Sequence, residues 1–172
     1  GALRKRVPLI AKTMERWLGI AAKRSLPKAA TQDFLSAVPH TLPGNATARE
    51  VVLLVDTFSN HLDPQIAQAA LDVLQSAGYT VHIAQPAAGE RALCCGRTYL
   101  SSGLIDEARA EATRLLDALS PFAERGLLII GLEPSCLLML RDEYHALGLG
   151  ERVTKLASSA VLLEEFLARE HD

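Results

Sequence analysis

Apolar and polar positions follow two rhythms along this chain. Val51-Val52-Leu53-Leu54-Val55 is an unbroken apolar run rich in β-branched residues, which predicts a strand covered on both faces. Ile66, Ala69, Ala70, Val73, Leu74 and Ala77 then recur at helical spacing. Asp63-Pro64 opens that helix as N-cap and first helical residue, and Gly78 closes it. Tyr79 to Ala84 alternates as a second strand. Leu104 to about Ala123 predicts a long amphipathic helix, with Ile105, Ala108, Ala112, Leu115, Leu116 and Leu119 on one side. Leu127 to Ile130 predicts a third buried strand. A helix from Pro134 to near Tyr144 and a final helix over Leu156 to Arg169 complete the pattern. Strands alternating with helices predict an α/β fold, a parallel sheet sandwiched by helices.

Upstream the pattern differs. Residues 1–28 interleave Arg4, Lys5, Arg6, Lys12, Arg16, Lys23, Arg24 and Lys28 with Val7, Leu9, Ile10, Met14, Trp17, Leu18 and Ile20, against the single acid Glu15. This predicts a basic amphipathic helical arm. Its simplest role is a connecting helix that packs its apolar stripe on neighbouring protein. The functional alternative is docking on an acidic partner or on an anionic lipid surface, a peripheral membrane contact. Pro27, Pro39, Pro43, Gly44 and Asn45 mark residues 25–48 as a linker. The expected division is therefore 1–48, basic helical arm and linker, and 49–172, a folded domain bearing the cysteines. The spread of charge through the arm argues against a signal peptide. No apolar run reaches the ~20 residues that a membrane span needs.

The 172 residues suit one ordinary domain, and 49% hydrophobic with 22% charged residues is a globular composition. A formal charge of -2 supplies no argument for nucleic acid. Three cysteines, two of them adjacent, do not make a secreted disulfide framework. They fit a reducing, cytoplasmic compartment and a metal or redox role. The chain opens on Gly1 rather than Met, which reads as the boundary of an excised or processed piece.

Three loops follow predicted strands: Asp56–Asn60, Gln85–Thr98 and Leu132–Cys136. Parallel α/β sheets bind ligands at the carboxyl ends of their strands, and that is where Cys94, Cys95 and Cys136 fall. Adjacent cysteines reach one ligand only through a sharp turn, which Gly96 permits. Cys136 lies in the first turn of a helix, where amides and the macrodipole favour the thiolate that binds metal. On spacing alone, Zn²⁺ and iron–sulfur are equally acceptable, and three structural core cysteines are the plain alternative. Nothing positions His61 or His82 beside the cysteines, and Asp142-Glu143 reads as a solvated face. Gly96 and Gly131 make no nucleotide-binding pattern. Asp56 and Thr57 are either site residues or turn formers.

Cys94-Cys95-Gly96-Arg97, followed about forty residues later by Glu133-Pro134-Ser135-Cys136-Leu137-Leu138-Met139-Leu140-Arg141-Asp142-Glu143-Tyr144, resembles the CCG (cysteine-rich) domain family. The likeness runs from about Val51 to Tyr144 and includes Gly103-Leu104-Ile105-Asp106-Glu107-Ala108-Arg109. That family includes the heterodisulfide reductase B subunit and the iron–sulfur subunits of glycolate oxidase and anaerobic glycerol-3-phosphate dehydrogenase. It also includes the C-terminal region of FAD-linked oxidase/iron–sulfur fusion proteins.

The resemblance implies an iron–sulfur electron-transfer domain of a flavin-linked D-2-hydroxyacid (lactate- or glycolate-type) dehydrogenase. Such a domain would work beside flavin and ferredoxin-like domains of the parent protein and pass electrons toward a quinone or another carrier. It implies a cytoplasmic location, peripheral to the inner face of the membrane where membrane contact is made. FAD would belong to the parent alone, so this stretch is not expected to oxidise substrate by itself.

The family pattern is a first cysteine, then CCG, then CxxC. Here Thr57 stands in place of the first cysteine and Glu133 in place of the penultimate one. Three thiolates hold a cluster if Glu133, Thr57, water or another domain supplies the remainder, and in this piece alone the cluster would be absent or labile. Zinc with an open position, a dithiol pair, and a degenerate domain with a structural or docking role are the alternatives.

Overall fold

In the computed structural model of the chain, residues 8–19, 21–24, 27–45, 48–87 and 89–171 are described. They fall into two units, Gly1–Thr31 and Gln32–Asp172. In the first, α1 (Pro8–Leu18) is the amphipathic basic helix expected of the arm. The Gly19 amide closes it on the Glu15 carbonyl at 3.1 Å. Leu9, Trp17 and Leu18 are exposed. Arg4, Lys5, Arg6 and Val7 of the predicted arm, and Ile20, lie outside the described residues.

The second unit opens with α2 (Phe34–Ala37) and β1 (Thr41–Leu42), within the stretch read from sequence as linker. There follow β2 (Glu50–Leu54), α3 (Thr57–His61), α4 (Pro64–Ser76), β3 (Thr80–Ile83), α5 (Arg97–Ser101), α6 (Ile105–Glu124), β4 (Leu128–Gly131), α7 (Pro134–Arg141), α8 (Glu143–Ala146), α9 (Arg152–Ser159), β5 (Ala160–Leu162) and α10 (Leu163–His171). The sheet order is β1-β3-β2-β4-β5. β3, β2, β4 and β5 are parallel, and β1 joins β3 antiparallel. The fold is α/β, as the alternation of strands and helices predicts.

Successive strand residues point to opposite faces of the sheet, and both faces are covered. Val51, Leu53, Val55, Ile130 and Val161 pack with Ala67, Ala70, Leu71 and Leu74 of α4, Phe34, and Phe166 of α10. Val52, Leu54, Ile129 and Ala160 pack with Leu115, Leu116 and Leu119 of α6, Leu137 and Leu140 of α7, and Leu156 of α9. Double coverage is why β2 reads as a continuous apolar run. Each fully buried Leu or Ile there contributes about 1.5–3 kcal/mol.

The crossovers place the site. β2 connects through α4 to β3 on one side of it, and β3 connects through α6 back past β2 to β4 on the other. The chain thus reverses its direction of growth at the carboxyl ends of β2 and β4, the position where open α/β sheets form a crevice.

Three expectations are corrected. The final helix predicted over Leu156 to Arg169 is two helices with β5 between them. Ser158 and Ser159 donate to the Lys155 carbonyl at 2.8 and 3.1 Å, ending α9. Ala160 and Val161 then enter opposite cores as strand residues. The helix from Pro134 to Tyr144 breaks at Asp142, whose backbone is non-helical. Asp56–Asn60 is not a loop. Asp56 caps α3 by accepting from the amides of Phe58 and Ser59 at 2.8 and 3.1 Å.

Candidate functional site

The cysteine loop is tied down before it reaches the thiols. Glu111 of α6 is 1% exposed and pairs with Arg91 of the loop and with Arg114, the latter at 2.9 Å. Arg114 also donates to the Arg91 carbonyl at 2.6 Å and approaches Glu90 at 3.3 Å. Leu93 and Cys95 then enter the core, while Cys94 is half-buried. Gly96 has φ +86°, and a Cβ there would lie 2.8 Å from the Ala108 carbonyl oxygen of α6. Only glycine lets the turn lie this close to the helix.

Cys136 is the third residue of α7. Its neighbour Glu133 is the N-cap, accepting from the amide and hydroxyl of Ser135 at 3.2 and 2.7 Å.

The two loops meet at the sulfurs. The Cys95 thiol interacts electrostatically with Cys94 on one side and with Cys136 on the other, so the three side chains form one group with Cys95 in the middle. The interaction with Cys136 is the main reason the Cys95 thiol is pushed up to about 11. Burial adds to the rise, and the interaction with Cys94 opposes it. The Cys94 thiol is pushed up further by its interaction with Cys95 and by burial. The Gly96 amide, 3.5 Å from its sulfur, and the Arg91 charge pull the other way. Both thiols therefore hold their protons at neutral pH.

Tyr144 of α8 closes the site from inside. It is fully buried, and its hydroxyl donates to the Cys95 carbonyl at 3.0 Å. It also lies within electrostatic reach of Cys95, Cys94 and Cys136. Burial first, and those three sulfurs second, raise its phenol well above the usual value, so it stays a donor. The preceding residue, Glu143, pairs with Arg97 just after the turn.

The remaining predicted residues lie as follows. Thr57 is the exposed first residue of α3. Glu133 spends its carboxylate on Ser135. Asp56 serves α3 with one carboxylate oxygen, while the other is buried with no hydrogen-bond partner. His61 bonds Asn60 at 3.2 Å, and His82 bonds Glu50 at 2.7 Å and Thr41 at 3.0 Å. Among the described residues, no group of three or more His, Cys, Asp or Glu side chains is arranged to hold a metal ion. Asp142-Glu143 is not simply a solvated face, because Glu143 holds Arg97.

Sequence reasoning missed Glu111 and the role of Tyr144. Glu111 was findable, as an acid on the apolar face of a helix between Ala108 and Leu115. Tyr144 keeps helical spacing with Leu137 and Leu140, which marks it as core and hides its hydroxyl bond.

No family model and no solved structure matches the chain. The chain is similar to the C subunit of anaerobic glycerol-3-phosphate dehydrogenase from Escherichia coli strain K12, with 26% identity over 129 residues. The same protein of Escherichia coli O157:H7 matches equally. The matched region covers 74% of this chain and 31% of each relative, so the chain spans less than a third of their length.

Proposed function

We propose that this domain is the cysteine-based redox module of a dehydrogenase, carrying electrons rather than acting on the substrate. The observation that carries the reading is the group of three thiols at the carboxyl edge of the sheet. Cys94 and Cys95 come from one loop and Cys136 from a helix about forty residues later. The similarity to a dehydrogenase subunit and the resemblance to CCG domains point the same way. The finer reading is a flavin-linked D-2-hydroxyacid dehydrogenase that places this domain beside flavin and ferredoxin-like domains and a quinone or other acceptor. Its location would be cytoplasmic or at the inner face of the membrane. No helix among the described residues is long and apolar enough to cross a membrane.

The donor set falls short of an iron–sulfur cluster. Ordinary clusters take four thiolates, whereas this chain has three cysteines and no three-donor group among its described residues. Zinc with an open position takes three protein ligands, and among the described residues no three donors are arranged to hold it. No electron-transfer step is assigned to a metal held by this chain alone, and a cluster in the parent protein requires donors from another domain.

The test is anaerobic purification with iron, sulfide, zinc and free thiols counted per chain, repeated on Cys95→Ser. The reading requires a redox-active centre, either iron with sulfide or thiols oxidised reversibly in pairs, that Cys95→Ser abolishes. Absence of metal together with thiols indifferent to mild oxidation and reduction would leave a docking domain whose site has decayed.

A further inference from the structure

The one-turn helix α8 touches the cysteine turn at two points, through side chains of consecutive residues. The Tyr144 hydroxyl donates to the carbonyl of Cys95 at 3.0 Å, and the Glu143 carboxylate holds the Arg97 guanidinium. The residues gripped, Cys95 and Arg97, flank Gly96, the pivot of the turn. α8 is itself fixed, because Arg109 of α6 donates to the Leu147 carbonyl at 2.9 Å. Without Tyr144 the Cys95 carbonyl would have to find another donor in a core that water does not reach, or the turn would rotate. Cys95 has its partners on two sides, Cys94 from the same loop and Cys136 from α7. A rotation of the turn therefore changes the distance to Cys136 and leaves Cys94 travelling with it.

We propose that Tyr144 is the positioning residue of the thiol site. By holding the Cys95 carbonyl it sets the Cys95 sulfur against that of Cys136, and Glu143, through Arg97, keeps the turn from swinging away. The inference rests on reading the three thiols as the functional site, but it concerns their geometry and not what they carry. Two-thiol chemistry at the site then depends on Tyr144, whereas one-thiol chemistry does not.

The experiment uses the full chain with Cys94→Ser, which leaves Cys95 and Cys136 as the two cysteines. The probe is phenylarsine oxide. Its trivalent arsenic forms one bond to each of two neighbouring sulfurs, and the two thiol protons leave with the oxygen as water. Cys94→Ser is expected to take up one equivalent rapidly. Adding Tyr144→Phe is expected to slow bridging about tenfold, the scale of one hydrogen bond. Alkylation of single thiols by iodoacetamide is expected not to slow.

Loss of packing alone would raise both rates. If the Tyr144→Phe chain is folded by circular dichroism and bridges at the parent rate, the proposal is overturned. It is overturned as well if Cys94→Ser does not bridge. Should Tyr144→Phe fail to fold, Glu143→Gln, which alters a partly exposed side chain, decides instead. Slower bridging supports the clamp and an unchanged rate refutes it. Neither metal content nor electron transfer is read, so failure of the redox proposal would leave this result standing, and the converse holds.

Discussion

Replacing Gly96 with alanine should damage this domain more than the same change at Gly103, a few residues along. Both glycines have positive φ, +86° and +76°. An L side chain in that region costs about 1–2 kcal/mol, and this part of the penalty is common to both. They differ in what the new methyl group meets. At Gly103 nothing lies within 4 Å, whereas at Gly96 the Ala108 carbonyl oxygen lies at 2.8 Å, with its carbon and Cα at 3.4 Å. These are backbone atoms in the first turn of α6 and cannot turn aside, so the cysteine turn must lift. Overpacking of this kind costs about 1–3 kcal/mol.

Gly103→Ala should thus lose about 1–2 kcal/mol and Gly96→Ala about 2–5 kcal/mol. The assay is equilibrium urea unfolding followed by far-ultraviolet circular dichroism. Tryptophan fluorescence is unsuitable because the one tryptophan, Trp17, sits in the N-terminal unit. Midpoints are comparable where the slopes agree. Losses equal within about 0.5 kcal/mol would refute the close approach of the turn to α6. Lifting the turn should also slow arsenical bridging of Cys95 and Cys136.

Removing the carboxylate of Glu111, by Glu111→Ala, should destabilise the domain by about 2–3 kcal/mol, because it strips Arg91 and Arg114 of their shared buried partner. Limited proteolysis should then cut within residues 85–98 faster than in the parent. The Tyr79 phenol is pushed up to about 12 from 10.0, by burial first and its bond to Glu170 second. A folded value above the unfolded one means that this contribution is intact below pH 10 and fades as pH rises toward 12. Thermal melts of Tyr79→Phe should lack that alkaline slope. Glu165 is held below its ordinary value of 4.5, first by the Leu162 amide and then by Arg141. Its contribution is present above pH 4.5 and lost as pH falls below it, so Glu165→Gln should flatten the acid limb of the melting curve. If Thr57 and Glu133 stand where CCG domains carry cysteine ligands, Thr57→Cys together with Glu133→Cys should raise iron and sulfide retained after anaerobic reconstitution. Unchanged metal content would mean that these positions do not match the family's missing ligands.

Much of this protein was legible in one dimension. β2 announces itself because both its faces are buried, and α4 because Asp63-Pro64 starts it and Gly78 stops it. That the three cysteines lie near one another was legible because each comes after a strand, and parallel topology gathers strand ends. These are local signals, carried by periodicity and capping within a dozen residues. The tertiary structure decided the rest. β5 was hidden because Ala160-Val161-Leu162 is too short to break the apolar spacing of the helices around it. It becomes a strand only where it can pair with β4. Which thiols come within electrostatic reach of one another depends on α6 carrying the chain past β2, so that a loop after β3 meets a helix after β4. The hydroxyl of Tyr144 and the carboxylate of Glu111 acquire their roles from partners 49 and 20 residues away. Pairing at such separations depends on which strand lies beside which, and no local pattern encodes that.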